Sequence, residues 1–313
     1  MKPRALLTSL AEADLRLLRI FIAIAESGGL AAAELRLNIS RSVISRHLKD
    51  LEIRLGVRLC ERGRSGFALT EEGGTVLDAA RRLLSQIEGF RREVAGLHGG
   101  MRGELNLAVF DKFVTNPECK LAEAIAAFGV EAPGVTLNLH VSGTIAIEKG
   151  LLEGLFQVAI HPFHRASESL LSWPLFSEQM SLYGAPDHPL LRAGIALDDA
   201  TLRKADFVGL GYHSPNMEHF WRLGLQPAAR AHEQEGSVVL IRSGRYLGFL
   251  PEHYALSFEQ AGVLKRIPSD TLQYRCDWHV SIARSPAPGR IARHFTSRLR
   301  VLHGAPASEV TLG

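Results

Sequence analysis

The sequence predicts a three-part chain: a mainly α-helical head with a winged helix-turn-helix over residues 1–70, one long helix and hinge over 71–100, and a two-lobed α/β domain over 101–313. Three observations predict it. Three short segments with apolar residues at helical spacing precede a glycine-containing hairpin tipped with arginines. One apolar stripe then repeats in steps of four and three residues. From Gly103 onward, strand-like and helix-like segments alternate.

A chain of 313 residues, 46% hydrophobic and 22% charged, can bury two or three ordinary cores. No stretch approaches the roughly 18 apolar residues of a membrane span. The start, with Lys2 and Arg4 but no long apolar segment, does not read as a signal peptide. These features place the expected protein in the cytoplasm, without a membrane partner. Cys60, Cys119 and Cys276 lie too far apart for a disulfide framework or a structural zinc site, so no metal and no cofactor is expected. The net charge of +3 hides an asymmetry: residues 36–64 hold eight Lys/Arg against three Asp/Glu. A local basic excess of this kind is what backbone phosphates require.

In the head, Leu15, Leu18, Ile22 and Ala25 recur at helical spacing after Asp14, a residue type suited to an N-cap, and Ser27-Gly28-Gly29 stops the helix. A second helix is expected over 31–37. Asn38-Ile39-Ser40 then turns the chain into a third helix over 41–55, with Ser40 as its cap. There Val43, Ile44, Leu48 and Leu51 form the inner stripe, which leaves Arg41, Ser42, Ser45, Arg46 and Lys49 facing outward. Arginine bonds guanine bidentately, serine reaches base edges or phosphates, and a recognition helix reads through its N-terminal turns. A solvated face on a plain three-helix core is the competing reading. Two short strands over 57–61 and 67–70 weigh against it, since they flank Arg62-Gly63-Arg64-Ser65-Gly66 and make a wing. Narrow minor grooves attract inserted arginine, which nominates Arg62 and Arg64.

After Thr70-Glu71-Glu72 the stripe Val76, Ala80, Leu83, Ile87, Phe90, Val94 and Leu97 fits a heptad template flanked by charges. A helix of this pattern pairs with a second copy, as a reader of two half-sites needs, or packs on its own domain. His98-Gly99-Gly100 ends it.

The runs Leu15-Arg16-Leu17-Leu18-Arg19-Ile20-Phe21, Asn38-Ile39-Ser40-Arg41-Ser42-Val43-Ile44-Ser45-Arg46-His47-Leu48, Leu55-Gly56-Val57-Arg58-Leu59 and Leu69-Thr70-Glu71-Glu72-Gly73 together resemble the LysR-type regulators. The likeness covers the whole head in order and spacing. It implies that Arg41, Ser42, Ser45 and Arg46 face promoter DNA, that Arg62 and Arg64 belong to the wing, and that the protein is a homodimer or a dimer of dimers. Three departures stand out in the head: Ala31 where the family has Thr, Ala33-Glu34 where it has Ala-Ala, and Arg41 where Gln is usual.

Beyond Gly103 the pattern reads as strand 104–110, helix 116–128, strand 135–142, helix 144–153 and strand 156–163. A crossover near 173–186 leads to a second alternating set over 206–261. A strand over 275–283 and a helix over 288–302 return to the first lobe. Lobe 1 is thus expected at about 101–175 and 271–313, and lobe 2 at about 176–270. Such an arrangement is similar to the periplasmic-binding-protein fold, which is also the family's sensor. Ligands of open α/β sheets sit at strand ends and helix N-termini, where free N–H groups favour anions. A small-molecule effector, of anionic character, is therefore expected at Thr115, Asn116, Gly143, Thr144, His161, Gly209 and Tyr212. The resemblance carries the two hydroxyl positions, Thr115 and Thr144; either could equally be a plain cap. Gln157 replaces the family's usual Asp. His161 and His164 lack a carboxylate or thiolate partner for a metal, and Cys119 lacks a resolving cysteine for redox sensing.

A phosphate loop, a nucleophile elbow and a His-Glu-x-x-His motif are all missing from the sequence, which argues against an enzyme. A two-lobe binding protein or enzyme with an incidental helix-turn-helix is the alternative. A purely architectural DNA protein would not need so large an α/β domain.

Overall fold

The computed structural model describes residues 9–63, 66–96, 101–163, 165–192, 198–269, 271–286 and 288–306. Two compact units emerge, Met1–Arg92 with Glu153–Leu155, and Glu93–Leu152 with Phe156–Gly313. The division falls inside the long helix, so that most of this helix belongs with the head.

The head contains α1 (Glu12–Glu26), α2 (Leu30–Leu37), α3 (Arg41–Leu55), β1 (Cys60–Gly63), β2 (Gly66–Leu69) and α4 (Glu71–Gly96). Leu17, Leu18, Phe21 and Ile24 of α1 pack with Ala33, Ile44, Leu48 and Leu51 in its core. The buried face of α1 is thus one residue out of step with the expected Leu15, Ile22 and Ala25, which stay half-buried at its border. So apolar a segment offers two helical stripes, and packing selects one. Asp14 is not the N-cap residue of α1, which is Ala11. It stands at the third position, where its carboxylate reaches back to accept the Ala11 N–H at 2.8 Å in the manner of a capping box and pairs with the Arg54 guanidinium, pinning α1 to α3. The expected strand over 57–61 begins only at Cys60, and the Glu52 carboxylate accepts the Leu59 N–H at 2.9 Å at its entry. Thr70 caps α4 by accepting the Gly73 N–H at 2.9 Å. At Gly73 a Cβ would stand 2.0 Å from the Leu59 carbonyl oxygen, so only glycine lets α4 pass the wing this closely.

The α/β unit contains β3 (Arg102–Val109), α5 (Leu121–Glu131), β4 (Gly134–Val141), α6 (Thr144–Leu152), β5 (Val158–Pro162), β6 (Leu170–Gly184), α7 (Pro189–Arg192), α8 (Asp199–Leu202), β7 (Phe207–Leu210), α9 (Pro215–Arg222), β8 (Pro227–Ala231), α10 (Gln234–Arg242), β9 (Leu247–Pro251), α11 (Glu252–Gln260), β10 (Lys265–Ile267), β11 (Gln273–Ala283) and α12 (Arg290–Leu302). Its strands run in the order β4-β3-β5-β11-β6-β9-β7-β8, with β10 beside β6. β3 is parallel to β4 and β5, and β7 to β8 and β9, while the long β6 and β11 are antiparallel partners. Those two strands are the crossovers. Phe176 and Trp278 fill the lobe-1 core with Phe295 and Leu299 of α12, whereas Met180, Leu182 and Cys276 fill the lobe-2 core. The register of β6 and β11 shifts between Trp278 and His279, next to this change of core.

Two sequence expectations fail locally. The helix expected over 116–128 starts only at Leu121, after a 3₁₀ turn at Phe113–Thr115. Pro117 explains the delay: the residue before proline is pushed out of the helical region, and Asn116 is extended, with φ −83° and ψ 117°. β8 was not anticipated, since Pro-Ala-Ala-Arg-Ala has little strand propensity and is held by parallel pairing to β7. Among the described residues, no helix is long and apolar enough to cross a membrane.

Candidate nucleic-acid interface and inter-lobe cleft

Helix α3 buries Ile44, Leu48 and Leu51 and exposes Arg41, Ser42, Arg46 and Lys49, with Ser45 half-buried. Ser40 occupies the N-cap position but does not cap with its side chain; its hydroxyl lies 3.1 Å from that of Ser42. An unforeseen group serves the helix start instead. The Glu34 carboxylate of α2 accepts the Arg41 N–H at 3.1 Å, which puts a negative charge at the amino end of α3. In the wing, Arg62 pairs across the hairpin with Phe67, while Arg64 lies outside the described residues.

The long-helix stripe divides in two. Ala80 is buried, and Val76 and Leu83 half-buried, against the head's own core, where Leu77 joins them unforeseen. Ile87 is half-buried, and Phe90 and Val94 are 68% and 40% exposed. Packing on its own domain thus accounts for the first part of the stripe, and only the later part presents a free apolar face. Leu97 lies outside the described residues.

In the α/β unit, the C-terminal ends of the parallel strands from both lobes converge. Beyond β3, the Thr115 hydroxyl lies 2.8 Å from Nδ1 of His253, at the start of α11, and Nε2 of His253 lies 2.9 Å from the Glu178 carboxylate of β6. Next to Thr115, Lys112 adopts a left-handed φ of 64° and pairs with the neighbouring Asp111. The Lys112 ammonium lies 5.6 Å from the ring centres of both Phe110 and Tyr254, a lobe-1 and a lobe-2 residue. Its side chain is 5% exposed. Burial lowers its pKa to about 7, opposed by the charges of Glu233, Glu178 and Glu235. At the amino end of α6, a Cβ on Gly143 would lie 4.0 Å from Oε1 of Glu233, the N-cap residue of α10. Tyr212 packs against the cores of both lobes, and burial raises its phenol pKa.

Thr115, Gly143, Thr144 and Tyr212 of the expected set therefore stand at or beside this convergence. The other three are engaged elsewhere. Asn116 turns back on its own backbone, its Oδ1 accepting the Glu118 N–H at 2.9 Å. His161 is buried inside the sheet, with Nδ1 3.0 Å from the Pro162 carbonyl and Nε2 2.9 Å from the Ser281 hydroxyl. At Gly209 a Cβ would come within 2.9 Å of both Met217 and Pro227, so this glycine serves helix–strand packing. Gln157 binds the Asn106 N–H at 2.8 Å and ties β5 to β3. His164 lies outside the described residues. Burial raises the Cys119 pKa, which keeps it a thiol. Lys112, Glu178, Glu233 and His253 join the convergence without having been singled out by the sequence; the signal available was a polar residue in the loop after a strand (Lys112) or at a helix start (Glu233, His253).

Comparison with known proteins follows this division. Residues 15–74 match the family model for the bacterial regulatory helix-turn-helix protein, lysR family, and residues 98–301 match the LysR substrate binding domain. The HTH-type transcriptional activator BauR of Pseudomonas aeruginosa is 37% identical over 291 residues, covering 92% of this chain and 95% of that one. The crystal structure of CbnR, a LysR family transcriptional regulator, superposes with a TM-score of 0.67 at 23% identity, over 93% of this chain and 99% of that one. Full-length CbnR complexed with its target DNA gives a TM-score of 0.63 at 24% identity, over 92% and 99% of the two chains. A helix-turn-helix head followed by this two-lobe domain, each matched in order by the models of one family, makes the chain a member of the LysR family of transcriptional regulators, with a DNA-binding head and an effector-binding domain rather than an enzyme's active site.

Proposed function

We propose that this regulator works in the cytoplasm and reads promoter DNA with Arg41, Ser42, Ser45, Arg46 and Lys49 of α3 and with the wing arginines Arg62 and Arg64. A small-molecule effector bound between the lobes tunes that reading. Two copies pair through the exposed part of the α4 stripe around Phe90 and Val94, and pairs of such dimers are the further assembly. The effector acts by population shift: it binds one lobe arrangement better than the other and so biases how the heads are presented to two half-sites.

The observation that carries this reading is the chain from Thr115 through His253 to Glu178, which ties a lobe-1 strand end to a lobe-2 helix and a crossover strand. A ligand that meets these groups changes how the lobes hold each other. The test is to capture genomic fragments on the full-length protein at low and raised salt, with and without metabolite extract. Salt-resistant enrichment of a few promoter fragments sharing an inverted repeat, altered by extract, is the expected result. Uniform, salt-sensitive capture would overturn sequence-specific reading, and enrichment indifferent to extract would overturn effector control. Phe90→Asp is expected to shift the protein toward monomer in sedimentation; an unchanged dimer would remove this face from the interface.

A further inference from the structure

We propose that the effector taken by this cleft is a small zwitterion, an acid group joined to an ammonium, and not a simple organic anion; the proposal rests on the cleft reading above. The balance of charge comes first. The described cation at the convergence is Lys112, set against the carboxylates of Asp111, Glu178, Glu233 and Glu235. His253 already contacts Glu178. A ligand that is only an anion would enter a site with an excess of its own charge, a repulsion strongest beside the buried Glu178 and weaker beside Glu233 and Glu235, which are exposed. An ammonium on the same ligand reverses that penalty.

The hydrogen-bonding inventory points the same way. Oδ1 of Asp111, Oδ1 of Asn216 and Oε1 of Gln234 are buried and have no hydrogen-bond partner. Asn216 and Gln234 belong to the first turns of α9 and α10, the helices that follow the C-terminal ends of β7 and β8. Each of the three atoms is an acceptor in a segment that follows the C-terminal end of a parallel strand, so the unmet demand there is for donors, which an ammonium supplies. The acid end has its own place. Gly143 puts no side chain at the amino end of α6, and the Glu233 carboxylate stands near it from across the cleft, placed to meet an ammonium while the helix start meets an acid group. Free N–H groups at a helix start favour an anion, and Lys112 supplies the complementary charge. Phe110 and Tyr254 flank Lys112 with their rings, which suits a ligand of a few carbons.

The experiment uses the full-length protein and three probe sets of two to six carbons: amino acids with the amine at either end, the same acids without the amine, and the same amines without the acid. Thermal shift and calorimetry read binding, and DNA binding by the same preparations controls for folding. At least one amino acid is expected to bind tenfold or more tightly than the acid and the amine of matching length. In the variant Glu233→Gln/Glu235→Gln that advantage falls tenfold while the plain acids bind as before or better; Lys112→Gln weakens every acid-bearing probe. Plain acids binding as tightly as amino acids overturn the zwitterion, as does an absence of binding by all three sets. If acids alone bind and Lys112→Gln abolishes it, the cleft reading survives without the zwitterion. If probes bind and neither variant changes their affinity, the cleft reading itself falls.

Discussion

The head and the inter-lobe cleft solve opposite problems with the same side chains. On α3, Arg41, Arg46 and Lys49 are exposed and come from one nine-residue stretch, their charges left in water until a partner replaces it. In the cleft, Lys112 is nearly buried, and the acids acting on it come from β6 and from the start of α10. Exposed charges act on a polyanion from outside. Lys112, buried beside its acids, has its pKa lowered to about 7, so a ligand that meets it must also settle its protonation. The contrast separates recognition by a surface prepared in advance from recognition by a site whose charge state is part of the binding event.

The largest effect expected from this contrast is on the head. Arg46→Ala should weaken specific DNA binding by about 1 to 3 kcal/mol, roughly five- to 150-fold, while leaving the protein's thermal stability unchanged, because an exposed arginine contributes little to folding. Fluorescence anisotropy with specific and scrambled duplexes checks both halves of the claim. An equal loss on both duplexes would move Arg46 from base reading to phosphate contact, and no loss would remove it from the interface.

The same contrast explains what was legible in the sequence. The fold of the head could be read almost entirely, because the residues proposed to read DNA are neighbours on one helix and their opposite face, Ile44, Leu48 and Leu51, declares itself by spacing. Its departures were local ones: Asp14 serves the helix start from the third position and not as N-cap, and its second partner Arg54, like the Ser42 hydroxyl beside Ser40, depends on folding or on fine geometry. In the α/β domain the alternation of elements was legible but the cleft was not. His253 matters through Thr115, 138 positions away, and Glu233 through Gly143, contacts that no local pattern encodes. His161 shows the converse, since a histidine at a strand end looks available by pattern, while its burial and the Ser281 hydroxyl beside it come only from folding.

A pH dependence of intermediate size tests the cleft side. The Lys112 pKa is lowered to about 7, so its ammonium is mostly charged below that pH and mostly neutral above it. Binding of a carboxylate-bearing effector selects the charged form, so affinity should be greatest at pH 6.5 and fall by about 25-fold by pH 8.5, with proton uptake on binding. The groups facing this ammonium are Asp111, Glu178, Glu233 and Glu235, together with the rings of Phe110 and Tyr254. Calorimetry in buffers of different ionisation enthalpy measures the uptake, and Lys112→Gln should flatten the profile. A profile in the unsubstituted protein that is flat from pH 6.5 to 8.5 would contradict the assignment. DNA binding by the head should show no matching step, because α3 carries its arginines in the open.

The smallest effect expected concerns the one place where the head departs from open presentation. Glu34 sets a carboxylate at the amino end of the reading helix and occupies the Arg41 N–H, a group that would otherwise be available to a phosphate. Both consequences oppose indiscriminate attachment to DNA: one donor is withheld, and a negative charge stands within a Debye length of any approaching backbone. Glu34→Gln keeps an acceptor for the Arg41 N–H while removing the charge, so it isolates the electrostatic part. It should tighten binding to scrambled duplex by about threefold and steepen the salt dependence by up to about one unit, with less change on the specific site. Glu34→Ala, which also frees the N–H, should go further in the same direction. Anisotropy titrations at several salt concentrations decide it: weaker non-specific binding in both variants would mean that the carboxylate serves the geometry of the turn between α2 and α3 and not the rejection of wrong DNA.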